Sequence, residues 1–136
     1  MDVRPYSFAI NKLRAAGIRP TRQRVALAKL LFEGSDRHVT AEGLYADARH
    51  AGVGVTLATV YNSLNQLTEA GLLREIVVDP HRRYFDTNIS DHHHFFHEES
   101  GILEDISGKD VVISKLPDAP EGRKVCSVDV VIRISG

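Results

Sequence analysis

The residue patterns predict an α+β chain. Helical periodicity fills the first half, extended alternation fills the second, and the charge changes sign where one gives way to the other. Residues 1–85 carry 12 Lys/Arg against 8 Asp/Glu, net +4, and residues 86–136 carry 5 against 10, net −5. Two domains are therefore expected, 1–85 and 86–136, with the polar segment Thr87–Asp91 as the hinge. A basic front half suits a polyanion, and an acidic, histidine-rich back half suits a cation. With 43% hydrophobic and 26% charged residues, the 136-residue chain has the composition of a core-forming globular protein. It holds neither an 18-residue apolar run nor a charged-then-apolar leader, so a cytoplasmic location without membrane association is expected. The lone cysteine, Cys126, excludes an internal disulfide, and the absence of Cys-x-x-Cys excludes a four-cysteine structural zinc.

The first helix is expected over Pro5–Ala16, where Phe8, Ile10, Leu13 and Ala16 recur at roughly helical spacing and Gly17 ends the run. Thr21 is the expected N-cap of a second helix, whose stripe of Val25, Leu27, Ala28, Leu31 and Phe32 stops before Gly34. Arg19, Arg22 and Arg24 gather at its start, a place where phosphates are met. Thr40 caps a third helix that ends at Gly52, with Glu42 near its positive end. Thr56 caps a fourth that ends at Gly71. In this fourth helix Leu57, Val60, Leu64 and Leu67 form the buried face. Thr59, Asn62, Ser63 and Gln66 form the opposite one, with Tyr61 at its border. Exposed helices favour Lys and Glu, so a face of short uncharged hydrogen-bonding groups needs another explanation.

Residues 72–78 and 82–86 then read as two strands joined by a turn that contains Pro80. Three or four helices followed by a hairpin with Arg82 and Arg83 near its tip describe an amino-terminal winged helix-turn-helix. In that arrangement the last helix enters the major groove of double-stranded DNA and the wing holds phosphates. The expected DNA contacts are Arg19, Thr21, Arg22, Thr59, Tyr61 and Asn62.

The segment 86–105 gathers four of the seven histidines among six acidic residues. Neutral imidazole and carboxylate are ligands that Fe(II), Mn(II) and Zn(II) share. Strand alternation sends His92 and His94 to one side and His93 to the other, while Asp86 and Asp105 bracket the pair. Gly101 turns the chain into a partner strand over 102–106, and 110–114 reads as a short extended segment. The final run alternates, with Cys126, Val128, Val130, Ile132 and Ile134 facing one way, so Cys126 is expected in the core. So small a sheet leaves edges that a second copy of the chain would cover.

The segments R-P-T-R-Q-R-V-A-L, H-V-T-A-E-G-L-Y, T-L-A-T-V-Y-N-S-L, R-R-Y-F-D and H-H-H-F-F-H, in this order and spacing, resemble the ferric uptake regulator family of bacterial metal-dependent repressors. The triple histidine and the missing Cys-x-x-Cys look most like its iron-response regulator branch, linked to iron and heme control. The resemblance implies a homodimeric repressor with a winged-helix domain and a small carboxy-terminal α/β dimerisation domain. It also implies a regulatory metal site of His38, Asp86, His92, His94 and Asp105, holding one Mn(II) or Fe(II) per subunit. Tyr61 matches the family's base-contacting tyrosine, and Arg19 a basic residue placed near the minor groove. The sequence departs from the family in three places. His97 and Ser100 stand where a zinc-binding cysteine pair is usual, Asn62 follows the tyrosine where many relatives have arginine, and the dimerisation helix is shortened to Leu116–Gly122.

Heme ligation is expected, if at all, on His92, His93 and His94, in competition with the metal, because the chain has neither a Cys-Pro nor a Cys-x-x-Cys-His motif. The expected function is thus a metal-responsive transcriptional regulator that binds promoter DNA to control iron and heme metabolism, without enzymatic activity. The rival is a non-heme metal enzyme built on the same His/Asp cluster, which would need an open coordination position and a substrate pocket.

Overall fold

The computed structural model describes residues 6–136, and Pro5, expected at the start of the first helix, lies outside the described residues. The chain divides into two compact units, the first ending at Ile89 and the second running over Ser90–Gly136.

The first unit contains α1 (Ser7–Ala15), α2 (Arg22–Phe32), β1 (His38–Val39), α3 (Ala41–His50), α4 (Leu57–Glu69), β2 (Arg74–Asp79) and β3 (Arg82–Asp86). Thr21, Thr40 and Thr56 cap α2, α3 and α4, each side-chain oxygen accepting the N–H three residues on. Each such cap is worth about 1 kcal/mol. Gly17 and Gly71, at φ 77° and 80°, let the chain leave α1 and α4 through a left-handed turn. In both turns the following amide, of Ile18 or Leu72, reaches back to the carbonyl of Leu13 or Leu67 at 2.9 Å.

Leu13, Leu27, Leu31, Leu44, Val60 and Leu64 are buried together with Phe85, and each large apolar side chain so placed contributes roughly 1.5–3 kcal/mol. The sheet runs β1-β3-β2, all antiparallel. Along β2, buried Ile76 and Val78 alternate with exposed Val77, as a sheet covered on one face requires. Two residues long, β1 has no hydrophobic alternation of its own. It is held by the pairs His38↔Asp86 and Val39↔Phe85, and its line of bonds is extended by Thr87 N–H to the Arg37 carbonyl at 3.1 Å. On α4, Ser63 is buried, which removes it from the polar face where its spacing had placed it.

The second unit has β4 (His93–His97), β5 (Ile102–Ile106), a short 3-10 turn (Gly108–Asp110) and β6 (Val131–Ile134). Its sheet order is β5-β4-β6, with β4 antiparallel to β5 and parallel to β6. Phe96, Leu103 and Ile106 are its buried apolar residues. Three sequence-based expectations fail here. Residues 111–114 pair with no strand, and Leu116–Gly122 forms a turn at its end rather than a helix. The alternating carboxy-terminal run is a strand only over Val131–Ile134, so Cys126 is exposed rather than part of the core. Alternation creates a strand only where a neighbour supplies a ladder, and β4 offers partners only from His94 to His97.

Candidate metal centre and nucleic-acid surface

The first unit brings two expected ligands together. The β1–β3 register sets His38 opposite Asp86, and His38 Nε2 lies 3.1 Å from Asp86 Oδ2. Asp86 is 1% exposed, and its Oδ1 accepts the Asn88 N–H at 2.9 Å. A carboxylate this buried must be matched by donors or cations. An imidazole and an amide are among the groups that hold it here, and its oxygens are of the kind divalent metals take.

The second unit brings together the other three. His94 is opposite Asp105 in the β4–β5 ladder, and the Nε2 atoms of His92 and His94 lie 3.2 and 3.3 Å from the same oxygen, Asp105 Oδ1. The two rings are 4.5 Å apart between centroids. His92 Nδ1 is 2.7 Å from the Ser90 carbonyl. A carbonyl oxygen can only accept, so Nδ1 carries a proton, and Nε2 points at a carboxylate oxygen. That arrangement requires positive charge between or upon the two groups: a second proton on the ring, or a metal ion. An imidazole fixed through its other nitrogen by a backbone carbonyl is the usual outer-shell support of a metal ligand, so the donor set fits a divalent cation.

His93 turns the other way, as strand alternation predicts. Its Nδ1 accepts the Val130 N–H at 3.1 Å, which ties β4 to the residue before β6. His97, at the position of a family cysteine, bonds Glu104 Oε1 through Nε2 at 3.0 Å, and Ser100 is exposed in the turn beyond it.

The other expected site residues surround α4. Asn62 is exposed and Thr59 half-buried, and the Thr56 hydroxyl donates to Thr59 Oγ1 at 3.0 Å. Thr21, Thr59, Asn62 and Gln66 line a cleft of about 340 Å³. Arg19 and Arg22 are exposed, whereas Arg24 turns back and donates to the Arg19 carbonyl at 3.0 Å. The wing arginines meet acids of the neighbouring strand: Arg82 lies 3.6 Å from Asp79, and Arg83 donates to Glu75 at 2.6 Å and to Asn65 Oδ1 at 2.9 Å. The Glu75 bond raises the Arg83 guanidinium above its usual value.

Tyr61 is half-buried, and its hydroxyl donates to Glu42 Oε1 at 2.5 Å. That bond, with help from the residue's own amide, lowers the Glu42 carboxyl below its ordinary range, and it raises the Tyr61 phenol above its own. Glu42, Asn65 and Glu75 were not foreseen as parts of this surface. Glu42 and Tyr61 are 19 residues apart, and Arg83 and Asn65 are 18 apart. No local spacing rule reaches across two elements, and only the packing of α3, α4 and β3 makes these pairs.

The pattern of the ferric uptake regulator family matches residues 15–132. The chain is 33% identical over 97 residues to the peroxide-responsive repressor PerR of Staphylococcus aureus, an alignment that covers 71% of this chain and 65% of that protein. It thus spans 65% of the length of the curated relatives it matches. Its fold is similar to that of the ferric uptake regulator from Pseudomonas aeruginosa, whose structure was determined with manganese, at a TM-score of 0.72 and 25% identity over 93% of this chain and 96% of that one. The Vibrio cholerae ferric uptake regulator gives a TM-score of 0.70 at 19% identity, over 93% of this chain and 98% of that one.

Proposed function

Because the chain belongs to the ferric uptake regulator family, we propose that it is a transcriptional regulator that binds promoter DNA through its first unit and responds to a divalent metal. We assign the metal to His38, Asp86, His92, His94 and Asp105, one ion per subunit. The observation that carries this reading is the placement of His92, with Nδ1 2.7 Å from the Ser90 carbonyl and Nε2 3.2 Å from Asp105 Oδ1. Nitrogen and carboxylate donors suit Mn(II) or Fe(II), and the Pseudomonas aeruginosa relative was studied with manganese. Family membership favours this reading over a metal enzyme built on the same ligands.

A divalent metal held by this set would supply the positive charge that its carboxylates and imidazoles call for, and would tie the ligands of one unit to those of the other. The first unit connects its half of that set to the DNA surface. One residue beyond β1, Thr40 caps α3, while β3 carries Arg83 three residues before Asp86, with Arg83 bonded to Asn65 of α4. The segment 87–91 joins the units, and a metal that prefers one arrangement of them shifts the population toward it by its differential affinity. Arg19, Thr21 and Arg22 meet the backbone, and Thr59, Tyr61 and Asn62 meet base edges.

A homodimer completes the second unit, whose three-stranded sheet ends in β5 and β6 and leaves Ile102 59% and Ile132 38% exposed. Heme is an antagonist in this scheme. His92 and His94 would reach iron only by leaving the metal, and His93 only by giving up the Val130 amide. The reading is tested by titrating duplex DNA from the promoter region of the chain's own gene into the protein, with Mn(II), with chelator and with heme. Binding that tightens with Mn(II) and weakens with heme is the expected result. Equal binding under all three conditions overturns metal and heme control, and no sequence-specific binding overturns the regulator reading.

A further inference from the structure

The hydrogen bond between Tyr61 and Glu42 gives the recognition surface a polarity. A phenol ordinarily donates and accepts, but here the proton is held by a carboxylate at 2.5 Å, within the short range of charge-assisted O–H···O⁻ bonds. The lowered Glu42 and the raised Tyr61 agree that the proton stays on the phenol and the charge on the carboxylate across neutral pH. What Tyr61 then offers outward is oxygen lone pairs, made more basic by the bond it donates. Glu42 is exposed and adds its own acceptor oxygens at the same place. The pair lines a groove with His81, Arg82 and Arg83 of the wing, about 360 Å³ in volume.

Resting on the DNA-binding reading above, we infer that Glu42 is a specificity-determining residue. By accepting the Tyr61 hydroxyl it leaves Tyr61 to the DNA as an acceptor only, and so selects a base with an exocyclic amino group, adenine or cytosine, where Tyr61 meets the major groove. In that groove adenine N6 and cytosine N4 are donors, whereas thymine O4 and guanine O6 are acceptors. An acceptor-only phenol beside a carboxylate meets the second pair lone pair to lone pair. Once freed from Glu42, the same phenol can turn its proton outward and meet either class. Glu42 also sits in the first turn of α3, where a negative charge stabilises the helix. That structural role bears on stability and carries no preference among bases.

The test is selection from a randomised duplex DNA pool by the full chain with Mn(II), for wild type, Tyr61→Phe and Glu42→Ala, followed by sequencing. Tyr61→Phe keeps the ring and removes the oxygen, so the position whose preference it flattens is the one Tyr61 reads. There, wild type should favour A or C over G or T by about tenfold, the worth of one good base contact. Glu42→Ala should admit G and T at that position and leave the rest of the motif unchanged. For a selected duplex, replacing that adenine or cytosine with the analogue lacking its exocyclic amino group should weaken wild type about tenfold and Tyr61→Phe hardly at all. The inference is overturned if Glu42→Ala keeps the wild-type preference, if the wild-type preference is for G or T, or if Tyr61→Phe changes no position. A wild type that enriches no motif overturns the DNA-binding reading itself, a result distinct from the other three.

Discussion

Replacing His38 with alanine separates how tightly the metal binds from what its binding does. In the first unit the change removes the 3.1 Å hydrogen bond between His38 Nε2 and Asp86 Oδ2, while the Asn88 amide continues to hold Oδ1. Such a bond is worth about 0.5–1.5 kcal/mol net, against a typical folding free energy of about 5–15 kcal/mol. Because Val39 is buried and paired with Phe85, β1 keeps its other anchor. The variant should therefore stay folded and dimeric, with an unchanged far-ultraviolet spectrum and elution volume. Metal affinity should fall by more than about 10–100-fold, the effect of altering only an outer-shell partner. At Mn(II) concentrations that saturate both proteins, four assigned ligands remain, but only Asp86 represents the first unit. The metal-induced gain in DNA affinity, about 1–3 kcal/mol or roughly 5–150-fold in wild type, should shrink to less than about twofold, and metal-free affinities should be alike. Fluorescence anisotropy with labelled duplex, at saturating Mn(II) and with chelator, reads both quantities. A variant with the full metal-induced gain refutes the linkage of the two units through His38.

Asp105→Asn keeps the shape of a half-exposed side chain but removes the charge shared by His92 and His94; calorimetry should show Mn(II) binding at least about tenfold weaker, and unchanged affinity would remove Asp105 from the site. Arg22→Ala should lower the slope of log affinity against log salt by about 0.9 if its exposed guanidinium meets a phosphate, whereas a parallel line would place Arg22 off the DNA. The Tyr61 phenol should ionise above the ordinary tyrosine range, seen near-ultraviolet as the signal absent from Tyr61→Phe, and return toward that range in Glu42→Ala. Because Glu42 is lowered and Tyr61 raised, their bond is fully present at neutral pH, lost in acid as the carboxylate protonates and lost in base as the phenol ionises. Leu44→Ala opens a cavity in the first unit's core and should cost about 2–5 kcal/mol in urea unfolding, so a loss under 1 kcal/mol would argue against that packing.

The helices were legible because each carries its own signals. A threonine opens α2, α3 and α4, glycines at positive φ follow the helices, and apolar residues repeat at the helical period, all within a dozen residues. The β2–β3 and β4–β5 hairpins were legible for the same reason, being closed by local turns. What the sequence did not reveal depends on distant chain. Nothing in Arg37–Val39 marks a strand until Phe85–Thr87 lies beside it. Conversely, the alternation from Cys126 to Asp129 predicted a ladder that β4 does not supply. Ser63 has the composition of a solvent face but the position of a buried one, beside buried Leu64 on α4.

The proposed metal ligands show where such reading stops. Alternation was enough to separate His92 and His94 from His93, and the two unlike environments follow from it: one pair faces Asp105 and the third ring faces Val130. Alternation could not supply the Ser90 carbonyl. Ser90 is two residues from His92, a distance at which strand geometry alone would put both side chains on the same face and say nothing of backbone oxygens. Yet that carbonyl sets which nitrogen of His92 faces Asp105, as the proposed ligand role requires. The contact with His92 is made by a backbone oxygen, which Ser90→Ala keeps, whereas Ser90→Pro would restrict the backbone that positions it. Ser90→Ala should bind Mn(II) like wild type and Ser90→Pro less tightly, with His92 unchanged in sequence; equal affinities in both variants would show that the carbonyl does not orient the ring.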